Sequence, residues 1–124
     1  MKIRETILEP MITHLLNLCK QELGISELPT IRMISDDPAI KSGDKMSFGQ
    51  FDGQTIEVIT TGRHPVDIFR TLAHELTHWK QKLSGQEMDG EDGSDIENEA
   101  NAQAGVIMRK FGEKYPECFT SSLP

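Results

Sequence analysis

Residues 71 to 81 read T-L-A-H-E-L-T-H-W-K-Q, and this stretch decides both the predicted fold and the predicted chemistry. His74 and His78 stand four residues apart, with Glu75 directly after the first histidine. On a helix this spacing places both imidazoles on one side, about 5 to 6 Å apart at Cβ, where one zinc ion can bind both rings. Glu75 lies next round the helix and is placed to take a proton from a water at that ion. The stretch therefore predicts a zinc site with Glu75 as its catalytic base.

The helix that carries this stretch is predicted to run from Pro65 to the Ser84-Gly85 pair. Proline suits a first helical turn, and glycine commonly follows a last one. At 100° per residue, His74 and His78 lie about 160° from the helix's apolar stripe. The histidines are therefore expected to point away from that stripe, whose members recur at helical spacing: Phe69, Leu72, Ala73, Leu76, Trp79 and Leu83.

Upstream, residues 4 to 23 have apolar side chains at three-to-four spacing and predict an amphipathic helix that ends at Gly24. Pro10 interrupts this pattern, so regular helix is expected from near Glu9, after a kinked or irregular first turn. Residues 30 to 35, bounded by Pro29 and the Asp36-Asp37-Pro38 turn, predict a first strand.

Two further strands are predicted as a hairpin, at residues 46 to 51 and 54 to 60. Between them lies Asp52-Gly53, a dipeptide that suits the positive φ angles of a tight turn. Residues 36 to 45 are rich in turn formers and predict a loop.

Downstream, residues 86 to 93 are acidic and contain glycine, and Ser94 with Glu97 matches a capping box. A last helix is predicted from Asp95 to Phe111, ended by Gly112. The element order is helix, strand, hairpin, helix, helix. This order predicts an α+β fold with a small three-stranded sheet.

Length, composition and charge narrow the function classes. A chain of 124 residues predicts one domain over residues 1 to 124. The net charge of -7 argues against nucleic acid as a partner, because that affinity rests on clustered lysine and arginine. Two cysteines are too few for a disulfide framework, and no apolar stretch is long enough for a signal peptide or a membrane span. A soluble cytoplasmic protein is expected.

A catalytic zinc site needs a third protein ligand besides the two histidines. The arrangement H-E-x-x-H-x-x-G-x-x-H is excluded, because Gln81 and Ser84 stand where its glycine and last histidine would be. The residues 89 to 93 do not match a calcium loop, since a glycine occupies the place of an oxygen ligand. The remaining candidates are downstream carboxylates: Glu87, Asp89, Glu91, Asp92, Asp95, Glu97 and Glu99.

Only Glu97 and Glu99 of these candidates lie well inside the last helix. Glu97 has a structural role in the predicted capping box with Ser94, whereas Glu99 has none. Both border the apolar stripe of that helix, on its two sides, so periodicity alone leaves both possible.

The stretch His74-Glu75-Leu76-Thr77-His78, followed by Asn98-Glu99-Ala100, resembles the gluzincins, the zinc metallopeptidases of thermolysin type. The short chain, with Asn101 and Ala104 after Glu99, is similar to small single-domain members, including ImmA/IrrE-type peptidases of bacteria and phages. The resemblance implies a zincin-like fold, peptide-bond hydrolysis and Zn²⁺ as the cofactor. It also implies Glu99 as the third ligand and Glu75 as the general base.

The resemblance carries further expectations about substrate and supporting residues. In zincins an edge strand before the active helix binds substrate in extended form, which implies the strand at 54 to 60 here. Gln103 stands where larger gluzincins often carry an aspartate that orients a histidine, and a carboxamide would do so less strongly. Candidates for a second oxyanion donor are His64, Arg109 and Tyr115. The alternatives are a non-catalytic zinc-stabilised binding module or a weakly active, latent regulator.

Overall fold

The computed structural model describes residues 3–34, 40–42, 45–47, 49–60, 63–85 and 95–116. The side chains of residues 3–10, 40–42 and 45–47 fall outside this description. The described elements are α1 Ile3–Leu23, β1 Thr30–Ile34, β2 Ile40–Ser42, β3 Lys45–Ser47, β4 Gly49–Phe51, β5 Thr55–Ile59, α2 Pro65–Leu83 and α3 Asp95–Lys114. The predicted α+β class is confirmed.

A three-stranded mixed sheet in the order β1-β5-β4 supports the helices. β5 runs parallel to β1 and antiparallel to β4, so it is the middle strand. This placement corrects the expectation that residues 54 to 60 form an edge strand. In the described part of the sheet, the edges are β1 and β4.

The predicted hairpin is confirmed at β4 and β5, which pair from Gly49↔Val58 to Phe51↔Ile56. Its turn is held by Asp52, whose Oδ1 accepts hydrogen bonds at 2.8 Å from the backbone N–H groups of Gln54 and Thr55. These bonds hold the pKa of the Asp52 carboxyl below its usual value. The turn thus follows from the sequence as predicted.

The strand predicted at 46 to 51 is divided in the structure. Lys45–Ser47 forms β3 and pairs antiparallel with β2, while Gly49–Phe51 forms β4. β2, Ile40–Ser42, lies in the stretch that was predicted as a loop. This strand has only three residues and is flanked in the sequence by turn-forming residues, so it was not predicted.

Helix ends differ from expectation at two points. α1 extends back to Ile3 and includes Pro10, where an irregular first turn was predicted. α3 continues through Gly112 to Lys114, and the Tyr115 N–H donates to the Phe111 carbonyl at 2.8 Å. A helical glycine costs only about 1 kcal/mol relative to alanine. Tyr115, beyond the glycine, packs against Phe111 with ring centroids 5.0 Å apart, and this contact offsets that cost.

The core lies between the sheet and the three helices. Phe69 of α2 and Phe111 of α3 meet edge to face, with ring centroids 5.6 Å apart. α2 is buried on two sides, because one face packs on the sheet and α1 while the other packs against α3. The fully or nearly buried apolar side chains of the cluster are Leu15, Leu18, Cys19, Leu23, Ile56, Val58, Ile68, Phe69, Leu72, Ala73, Leu76, Ala104, Ile107, Met108 and Phe111.

Candidate metal centre

Two imidazole rings from consecutive turns of α2 form one side of the candidate metal centre. The ring centroids of His74 and His78 lie 4.8 Å apart, and the ring planes are nearly perpendicular at 88°. This closeness follows from the four-residue spacing on a helix. His78 is buried and His74 is half-buried, because α3 covers this face of α2. The structure therefore brings the two predicted histidines together.

Among the residues that the structure describes, the carboxylate that meets both histidines is that of Glu97, in the first turn of α3. Its Oε1 lies 3.2 Å from Nε2 of His74, and its Oε2 lies 3.0 Å from Nε2 of His78. The ligand atoms of the three residues all lie within 4.8 Å of one another. Two atoms that each bind zinc at about 2.0 to 2.1 Å in a tetrahedral site are roughly 3.3 Å apart. The observed spacing and the donor types therefore fit a single zinc-like ion.

The structure thus differs from the expectation that Glu99 is the third donor. Residues two apart on a helix point about 200° apart, so Glu97 and Glu99 do not face the same pair of histidines. The Glu99 side chain is exposed, and its Oε1 accepts a 2.7 Å hydrogen bond from Nε2 of Gln81. Ser94, the other half of the predicted capping box, lies outside the described residues. Glu97 is directed to the histidines.

Each histidine also contacts a side-chain amide. His74 is hydrogen-bonded to Asn101, which lies one turn after Glu97 on α3. Nδ1 of His78 lies 2.8 Å from Oε1 of Gln81, in the next turn of α2. Asn101 lies four residues after Glu97. The sequence prediction used the same spacing when it placed Gln103 four residues after Glu99. Neither amide was predicted in this role, although helical spacing places Gln81 three residues after His78 and Asn101 four residues after Glu97.

Burial and charge favour the neutral, metal-binding form of His74. Burial lowers the pKa of its imidazole, and the nearby His78 lowers it further. The Glu97 carboxylate acts in the opposite direction, but the net shift of the pKa is downward. A neutral imidazole has a free nitrogen lone pair, which is what a metal ion requires.

Glu75 lies beside the centre without belonging to its donor set. Its side chain is 8 % exposed. Burial raises the pKa of Glu75 to about 7, and the charge of Glu97 adds to the shift. A carboxyl group whose pKa lies near neutrality can accept a proton and release it again. Glu75 is therefore a buried carboxyl group with a raised pKa at the edge of the candidate centre.

Strand β4 passes close to the helix at this point. A Cβ atom at Gly49 would clash with Cγ2 of Thr71 and would lie 3.5 Å from Cγ of Glu75. Only glycine therefore fits at this position without a shift of its neighbours. The close approach places the edge of the sheet beside the buried carboxyl of Glu75.

The three candidate oxyanion donors lie away from the centre. His64 is the N-cap of α2, and its Nδ1 accepts from the Val66 N–H at 3.1 Å, about 15 Å along the helix axis from His74. Arg109 lies about 18 Å along α3 from Glu97. Tyr115, just beyond α3, packs on His14 and Phe111. None of the three is adjacent to Glu75.

Comparisons of this chain with protein-family models, with curated proteins and with solved structures gave no match. Helices α1, α2 and α3, which make up the helical part of the described chain, are each too polar to cross a lipid bilayer.

Proposed function

We propose that the protein is a zinc metallopeptidase of gluzincin type, in which Glu97 takes the ligand role that the resemblance gave to Glu99. One observation carries the proposal: three metal-binding atoms converge beside Glu75, a buried carboxyl group whose pKa is raised to about 7. A purely structural metal site has no use for such a group. A hydrolytic site needs one to accept a proton from water.

The proposed roles follow from the donor set. His74, His78 and Glu97 would hold Zn²⁺ through two nitrogens and one carboxylate, a donor set that is typical of catalytic zinc sites. When bound, zinc supplies Lewis acidity that lowers the pKa of water and polarises a carbonyl group. Glu75 takes the proton from the attacking water and delivers it to the leaving amine. Asn101 and Gln81 keep the two imidazole rings in place.

An extended peptide is the proposed substrate, and β4 is the strand proposed to pair with it. β5 has neighbours on both sides, whereas β4 is at the edge of the described sheet. Gly49 in β4 approaches Glu75, so a peptide beside β4 would pass next to the base. Recognition through the main chain would make cleavage depend little on substrate side chains.

A zinc-stabilised binding module is the second candidate function. It is favoured by the positions of His64, Arg109 and Tyr115, which leave the centre without any of the expected oxyanion donors. In that case the ion would only hold α2 and α3 together, since its donors come from both helices.

Substitution Glu75→Gln separates the two candidates. Loss of a general base reduces hydrolysis by about 10²- to 10⁴-fold. We therefore expect the variant to keep stoichiometric zinc by elemental analysis but to lose cleavage in a proteome-derived peptide library. Glu113→Gln, at an exposed position of α3, is the matched control and should cleave like the native chain. Equal cleavage by Glu75→Gln and the native chain would contradict the peptidase assignment.

A further inference from the structure

Gln81 is a fully buried polar side chain next to the proposed metal ligands. A buried primary amide has two N–H donors and one carbonyl acceptor, and leaving any of them unpaired is costly. In this structure all three are paired. Nε2 donates to the Ile96 carbonyl at 3.0 Å and to Oε1 of Glu99 at 2.7 Å, while Oε1 faces Nδ1 of His78 at 2.8 Å.

These partners fix which way the amide points. The Ile96 carbonyl and the Glu99 carboxylate can only accept hydrogen bonds, so the NH₂ end of Gln81 must face them. The oxygen of the amide therefore faces His78, and Nδ1 of that ring must carry the proton. In the neutral ring, Nε2 then has a free lone pair. That lone pair points to Glu97, whose Oε2 lies 3.0 Å away, and a metal ion between the two atoms would remove the repulsion between the lone pair and the carboxylate.

The same amide sets the position of Glu97. Its two acceptors, Ile96 and Glu99, flank Glu97 in the first turn of α3. Two hydrogen bonds from one rigid amide group hold that turn against α2 in a single register. A change of this register would carry the Glu97 carboxylate away from both histidines.

We propose that Gln81 is a positioning residue, which selects the Nε2-ligating tautomer of His78 and fixes the register of α3 through Glu99 and Ile96. This inference rests on the proposed zinc site. It gives Glu99 a different role from the one expected from the resemblance: the outer carboxylate of a Glu99–Gln81–His78 relay. Such outer contacts commonly change metal affinity by about 10- to 100-fold.

Gln81→Met tests the relay, because methionine has a similar length but lacks both polar ends. We expect zinc affinity, measured by competition with a chelator, to fall about 10- to 100-fold. Gln21→Met, at an exposed position of α1, is the matched control and should bind zinc like the native chain. Unchanged affinity in Gln81→Met would overturn the proposal.

The tautomer of His78 gives a readout that a merely structural role of Gln81 would not move. In a metal-free Glu97→Ala background, where no carboxylate competes for a proton on Nε2, long-range ¹H–¹⁵N spectra at pH 8 should place the His78 proton on Nδ1 when Gln81 is present and on a mixture of both nitrogens in Gln81→Met. A proton on Nε2 of His78 in the Glu97→Ala variant that keeps Gln81 would refute the relay. Because this measurement needs neither zinc nor hydrolysis, a failure of the peptidase proposal stays distinguishable from a failure of this one.

Glu99→Ala provides a second variant if Gln81→Met does not fold. Glu99 is exposed, so its truncation leaves the core intact. The variant should still bind one zinc ion, with affinity lowered about tenfold, because one of the two acceptors of the Gln81 amide is lost. Native affinity in Glu99→Ala would also count against the relay.

Discussion

Nε2 of His78 lies 3.0 Å from Oε2 of Glu97, although the two residues belong to different helices. The second carboxylate oxygen lies 3.2 Å from Nε2 of His74, so a single side chain of α3 meets both histidines of α2. Glu97 therefore faces the centre, whereas Glu99 bonds to Gln81. This difference makes the ligand assignment directly testable.

Glu97→Ala is expected to abolish stoichiometric zinc binding, because two imidazoles alone do not complete a catalytic site. Glu99→Ala, two residues away on the same helix, is the matched comparison and should retain one zinc ion per chain. Inductively coupled plasma analysis of the two dialysed proteins measures both. Zinc retained in Glu97→Ala but absent from Glu99→Ala would restore the assignment that the resemblance implied.

Local patterns predicted most of the fold. The apolar spacing of α2 and the Asp52-Gly53 turn each encode a structure within a few residues. The parallel pairing of β1 with β5 was not predicted, because no local signal specifies which distant strands become neighbours. The same reason explains why β5 was expected at an edge of the sheet.

The residues of the candidate site were also predicted only in part from local patterns. His74, Glu75 and His78 follow from spacing on one helix, so sequence sufficed to bring them together. The third donor depends on how α3 is rotated against α2, and Glu97 and Glu99 border the apolar stripe on opposite sides. That rotation is set by tertiary contacts such as those of Gln81, which periodicity does not describe.

Gly49→Ala is predicted to destabilise the protein. The new Cβ would clash with Cγ2 of Thr71 on the neighbouring helix. Overpacking of this kind costs typically about 1 to 3 kcal/mol, which chemical denaturation can measure.

Two further variants test the steric cause. Thr71→Ser removes Cγ2 but keeps the hydroxyl group that bonds Arg63 and the Asp67 carbonyl, so it should rescue Gly49→Ala in the double variant. Gly105→Ala is the control, because a Cβ there meets open space, and it should stabilise α3 by about 0.5 to 1 kcal/mol. If Gly49→Ala and the double variant lose the same free energy of unfolding, the clash with Thr71 is not the cause.

Cys19 is predicted to be unreactive in the folded protein. Burial raises the pKa of its thiol to about 12, and the charge of Glu22 adds to the shift. Since the thiolate is the reactive form, its fraction at pH 8 should be about a thousandfold lower than in the unfolded chain. In a Cys118→Ser background, a disulfide reagent should modify Cys19 in urea but not under native conditions. Rapid native labelling would show that the thiol is accessible.

Glu75 should make the stability of the metal-free protein depend on pH. Burial and the charge of Glu97 raise the pKa of its carboxyl from 4.5 to about 7 in the folded state. Between these values the folded chain holds a proton that the unfolded chain has released, so the free energy of unfolding falls as pH rises through this window. The loss is at most on the order of 3 kcal/mol and is complete above about pH 7.

Glu75→Gln isolates this contribution, because its amide stays neutral at every pH and closely matches the protonated acid in shape. The lowered pKa of His74 changes stability in the opposite direction, but it acts in both proteins and largely cancels in their difference. In urea titrations with a chelator present, the variant should equal the native chain near pH 4.5 and exceed it above pH 7. A difference between the two chains that is the same at both pH values would mean that Glu75 does not titrate in this window, and would weaken its assignment as a base.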